Sequence, residues 1–226
     1  MGLNAKNAPR KGGDFKRELL EAGTYPTRLV GVADMGLQYQ RPYQGQEKEP
    51  VNEIMLTYEF SDEFMKDADG TDQEDKPRFL SEIMPFHNLG ADKAKSTLRY
   101  KALDPDITLD GDWLKLLGTP CNVTVVLNTY KKDGQERTVE KIAGISAMRK
   151  KDADKLPELV NEARFFDLDK PDLAIFKAYP EWIQEKIKSN LNYQGSPLEA
   201  LLDTKGEVKE AAKPAEKAED GDNRPY

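Results

Sequence analysis

Two sequence periods alternate along this chain in an order that few folds accept. Gly23–Ala33, Val51–Phe60 and Arg78–Met84 carry the marks of strands. The second places Ile54, Leu56, Tyr58 and Phe60 on one face at period two. Pro26 lies near the start of the first, where a missing N–H is tolerated. The pattern then turns helical over Ala91–Lys101 and again over Asp112–Leu117, which Asp112 is placed to cap and Gly118 to close. Cys121–Leu127 is the strongest strand signal in the chain, and Arg137–Ala147 returns from it across a hairpin turn holding Asp133-Gly134. After Arg149-Lys150-Lys151 the chain reads as loop and helix, with Ile183, Ile187 and Leu191 at i, i+4, i+8 behind Pro180.

Charge divides the 226 residues further. Residues 1–22 read as a basic flexible arm, with Lys6, Arg10, Lys11, Lys16 and Arg17 against Asp14 within the first seventeen. Residues 59–75 hold eight carboxylates against Lys66, a block expected to form a solvated loop. Within it, Asp67-Ala68-Asp69-Gly70 resembles a calcium loop, but the Gly and the terminal acid stand at the wrong positions. Residues 205–226 hold Val208 as their one aliphatic side chain larger than Ala and are expected to be disordered. The expected division is therefore arm (1–22), β domain (23–150), helical extension (151–204) and tail (205–226).

One His (His87) and one Cys (Cys121) leave little room for a zinc site, a disulfide framework or a Cys–His nucleophile. His87 is expected to be structural and Cys121 to act as a small buried hydrophobe. Phosphate-loop, dinucleotide and hydrolase motifs are missing, so no catalysis, cofactor or metal is expected. No apolar run nears the roughly 20 residues that cross a bilayer, and Met1–Arg17 lacks a signal-like apolar core. The expectation is a cytoplasmic protein.

Three strands, a helical insertion and a hairpin form the order of the OB-fold, a five-stranded Greek-key barrel. Its ligands lie on strands two and three between the first and last loops. A single strand of nucleic acid needs aromatic faces for its bases and cations for its phosphates. The first loop holds Tyr39, Arg41, Tyr43 and Lys48, and the last holds Tyr130, Lys131, Lys132 and Arg137. Arg78 and Phe79 open strand three, and Arg99 and Tyr100 lie in the helical insertion. These twelve are the candidate DNA contacts. Tyr58, Phe60 and Trp113 are expected in the core, and Trp182 in the core or at a subunit contact. The net charge is −7, but residues 128–151 alone carry +4, enough for a local binding stripe.

The runs Gly23-Thr24-Tyr25-Pro26, Leu29 to Gly36, Glu53 to Phe60, Trp113 to Cys121, and Pro180 to Gln184 followed by Tyr193 to Leu198 resemble small replication proteins of tailed bacteriophages. That family comprises OB-fold single-stranded DNA-binding proteins of replication and recombination modules. The resemblance implies sequence-independent binding of single-stranded DNA. It also implies a tail that contacts replication partners such as polymerase and helicase, here through Glu219, Asp220, Asp222 and Tyr226. A protein-interaction scaffold that ignores DNA is the alternative. The helix Glu181–Leu191 can pack on the barrel or pair with a second copy as a homodimer, and both stay open.

Overall fold

The computed structural model describes residues 18–67 and 69–206. The arm through Arg17 and the acidic cluster ending in Tyr226 lie outside the described residues. The order is β1 (Gly23–Gln38), β2 (Val51–Lys66), β3 (Asp72–Pro85), α1 (Lys95–Leu103), β4 (Pro120–Lys132) and β5 (Gln135–Ala147). Then follow α2 (Lys150–Ala153), β6 (Arg164–Phe166), α3 (Leu173–Ala178), α4 (Glu181–Lys188) and α5 (Pro197–Gly206). The sheet runs β3-β2-β1-β4-β5, antiparallel throughout, with β6 added parallel to β1. It curls into a half-barrel whose edges β3 and β5 approach closely enough for Arg78 to pair with Glu140 at 2.6 Å.

β1 is the strand on which everything depends. Its first half, Gly23 to Arg28, pairs with β4, and once β4 departs the same edge takes up β6 at Gly31 to Ala33. Side chains of a strand alternate between faces, so one inserted residue exchanges the faces beyond it. The register shift between Leu29 and Gly31 does this. Before it, Thr27 and Leu29 point into the barrel; after it, Val32 points inward while Ala33 and Met35 point out. The apolar run Leu29–Ala33 thus serves two cores, which is why it shows no alternation.

The inner core gathers Leu29, Val32, Leu56, Tyr58, Phe60, Val123 and Val125, with Tyr100 and Trp113 sealing one end. Those two rings meet edge-on at 5.2 Å, a favoured aromatic geometry. The outer core packs Ala33, Met35 and Met55 against Phe166, Phe176, Ile183, Ile187 and Leu198 of the extension. Asp112 accepts a hydrogen bond from the Leu114 N–H at 3.0 Å, opening a 3-10 turn over Leu114–Leu116.

Two expectations are corrected. The acidic block is no loop: β2 runs on to Lys66, β3 starts at Asp72, and only the turn between them is irregular. Pairing across the hairpin outweighs like-charge repulsion because most of the carboxylates stand in solvent. One of them, Glu59, is buried as an anchor described below. Residues 18–22 also depart from the expected arm, because Leu20 is buried in the inner core and its N–H donates to Glu140 at 2.7 Å. No described helix is long and apolar enough to cross a membrane.

Candidate nucleic-acid interface

The outer face of β1, β2 and β3 is laid out in rows fixed by strand register. Arg28, Glu59 and Phe79 form one row, Gly31, Thr57 and Ser81 the next, and Ala33, Met55 and Ile83 a third. The first row anchors the extension. Glu59 accepts from the N–H groups of Val160 and Asn161 at 2.8 and 3.0 Å and from the Asn161 amide at 2.6 Å. Arg28 donates to the carbonyls of Pro157, Gly118 and Leu156 at 2.7, 2.8 and 3.1 Å. In the third row, α4 lies directly on Met55, and Lys186 pairs with Glu53 at 2.7 Å.

Between these anchor points the face stays open. A groove of about 940 Å³ runs over the Gly31–Thr57–Ser81 row and across the seam between β3 and β5. Its floor is made of small side chains, with Thr57 and Ser81 joined hydroxyl to hydroxyl at 2.9 Å. Phe79, Thr138 and Val139 line it from the sheet; Arg164, Tyr179, Pro180 and Trp182 line it from the extension. Phe79 is 58% exposed, unusual for a strand phenylalanine opposite buried Glu59.

The β4–β5 hairpin rises from the groove wall. Thr138, a lining residue, pairs with Thr129 through a 2.9 Å hydroxyl contact, and the next rung is Tyr130 with Arg137. Beyond it lie Lys131 and Lys132, then the turn, where Asp133 and Gly134 take φ of 52° and 76°. Two successive positive φ values define the tight hairpin turn that the Asp-Gly pair predicts. Phe79 lines the groove itself, while Tyr130, Lys131, Lys132 and Arg137 lie farther out on the hairpin, beyond Thr138, with neighbouring side chains on opposite faces.

The first loop stands elsewhere. Tyr39 is 74% exposed, and Tyr43 closes a small turn by exchanging backbone hydrogen bonds with Gln46 at 2.9 and 3.0 Å. The Lys48 ammonium lies 5.0 Å from the Tyr43 ring centroid, a cation–π contact that occupies one face of that ring. Arg41 and Lys48 are exposed in this loop. The loop rejoins the sheet at Val51, roughly 20 Å along β2 from Thr57 at 3.3 Å per residue, with α4 docked in between. Tyr39, Arg41, Tyr43 and Lys48 thus form a patch of their own.

Three candidates are withdrawn because they are buried and paired inside the protein. Arg78 lies across the barrel seam against Glu140. Arg99 holds Glu82 through two hydrogen bonds of 2.7 and 3.1 Å, and the same carboxylate takes Lys95 at 2.8 Å and the Tyr58 hydroxyl at 3.3 Å. Tyr100 is fully buried beneath Trp113, its hydroxyl accepting from the Gly111 N–H at 2.8 Å. Their spacing in sequence matched that of surface cations and rings, but Arg78 and Arg99 are claimed by carboxylates of β5 and β3, and Tyr100 is enclosed by Asp104, Gly111 and Trp113 of its own insertion.

The extension supplies groove residues that the sequence did not single out as binding groups: Arg164, Tyr179 and Trp182. Burial pushes the Tyr179 hydroxyl up to about 12, with the Arg164 charge partly opposing the shift. Among the described residues no cluster of His, Cys, Asp or Glu is arranged to hold a metal ion. No family model matches the chain, and no curated protein or solved structure matches it either.

Proposed function

We propose that this chain binds single-stranded DNA without regard to base sequence, as an accessory protein of phage replication or recombination, on an OB-fold-like half-barrel. The strand order and the curl of the sheet are compatible with that fold. The observation that carries the reading is an open groove lined by an exposed Phe79, from whose wall rises the hairpin bearing Tyr130, Lys131, Lys132 and Arg137. Unpaired bases offer apolar faces to rings, each stack being worth roughly 1–3 kcal/mol whatever the base. The phosphates they hang from are drawn to the hairpin cations. A scaffold that only docked proteins would have no need of a cationic hairpin beside a ring-lined groove.

The test is fluorescence anisotropy with labelled oligo-dT and a duplex of equal length across a salt series. The expected outcome is preference for the single strand and a log–log salt slope that is negative. Replacing Lys131 and Lys132 by Ala should flatten that slope by about 1.4, since each phosphate contact on a single strand contributes about 0.7. Tyr43→Ala, in the separate patch, should weaken binding less than Phe79→Ala. Equal affinity for duplex and single strand, or none for either, would return the chain to the scaffold reading.

A further inference from the structure

We infer that the extension is half of the DNA site: Trp182, from the start of α4, offers a stacking face to unpaired bases across the groove from Phe79. This rests on the single-strand reading above and adds to it a binding determinant from outside the β-barrel.

The argument begins with how Trp182 is held. Ile183 and Ile187 of α4 are sealed into the outer core, and Trp182 packs against the margin of that core while lining the groove. It is half-buried, whereas Trp113, which fills the inner core, is 7% exposed. A tryptophan whose task was packing alone would be closed over in the same way. Among the described residues no hydrogen bond engages the Trp182 indole N–H, and it is not one of the buried side-chain polar atoms without a partner. The donor is therefore available to a phosphate or a base carbonyl.

The surroundings fit the same ligand. Tyr179 stays protonated throughout the neutral range, so its ring is an uncharged surface with a hydroxyl tip. Arg164 is exposed and lines the groove, and its backbone is pinned to Gly31 by the β6 pairing, which tethers a cation to the extension wall. The Gly31–Thr57–Ser81 floor lets a ligand lie close to the sheet. Rings on two walls and a low polar floor match a flat base, with Arg164 and Glu162 both at the extension side of the groove. In a duplex both faces of each base are already stacked, so a two-walled slot selects against it.

The experiment uses the full chain. Oligo-dT is titrated while the anisotropy of its label and the tryptophan emission are followed together, with acrylamide present as quencher. Acrylamide reaches Trp182 and not the buried Trp113, so the quenchable emission reports on Trp182. The expected result is loss of that accessibility in step with the anisotropy. Trp182→Ala should weaken binding about tenfold, and Trp182→Phe should recover most of it at an unchanged melting temperature. If oligo-dT binds with full affinity while Trp182 stays open to acrylamide, or W182F and W182A both bind as the parent does, the extension is not part of the site and the single-strand reading stands. If the parent chain does not bind oligo-dT at all, both fall. Should W182A not fold, the acrylamide measurement on the parent decides.

Discussion

Arg99 shows how little a residue's type says about its task. On α1 it turns inward and is held by Glu82, a carboxylate seventeen residues earlier on β3. Removing one member of a buried pair costs about 3–5 kcal/mol when the other is left alone, and the low end applies here because Lys95 and the Tyr58 hydroxyl still reach Glu82. Arg99→Met should therefore lower the unfolding free energy by that order in urea, while folded protein keeps its affinity for oligo-dT. A loss of affinity without a loss of stability would put Arg99 back at the interface. Cys121 makes a second residue-level case. Burial raises its thiol from the ordinary 9.0 to about 11, with the Thr27 hydroxyl partly opposing. The folded state thus keeps a proton that the unfolded chain releases. The contribution to stability is intact below about pH 9 and is lost as pH rises toward 11. Between about pH 8 and pH 10 the parent should lose more stability than Cys121→Val, measured by urea unfolding at both values.

At the scale of elements, the Gly36 bulge carries the docking of the extension. Gly36 has φ of +72°, and a Cβ there would stand 2.6 Å from the Asn190 Cβ, too close for any side chain. The next residue completes the contact, since the Leu191 N–H donates to the Leu37 carbonyl at 2.8 Å. Gly36→Ala should loosen the 189–193 turn and raise amide exchange through α4 while leaving the inner barrel protected. Uniform loss of protection would contradict this. Which elements the sequence announced follows from the same physics. Strand one showed only as a run of β-forming residues, whereas strands two and four and the Asp-Gly turn were legible because period-two apolar residues and a turn residue needing positive φ are local signals. The ends of β2 and β3 were not, because charged residues extend a hairpin only when register with the partner strand allows it. Of the candidate site, Phe79 is exposed on β3 and the cations stand on the β4–β5 hairpin, but the walls of the groove depend on the extension folding back. Nothing in residues 151–204 taken alone says which face it covers. β6, three residues long, gives no periodic signal at all.

At the scale of the whole molecule, the acidic chain carries a hairpin in which Lys131, Lys132 and Arg137 stand beside Asp133 and Glu136. On the proposed reading, the −7 of the chain sets a long-range repulsion from DNA that Lys131, Lys132 and Arg137 would overcome at contact range. Binding should therefore fall steeply with salt even though the protein is acidic. The larger architectural fact is that β1 lends one face to each core and one edge to both β4 and β6. A gene shortened to encode only the barrel would leave Met35 and Met55 uncovered and the far half of that edge without a partner. Such a fragment would seek substitutes in its own kind, turning up as inclusion bodies or soluble aggregates instead of as a minimal module.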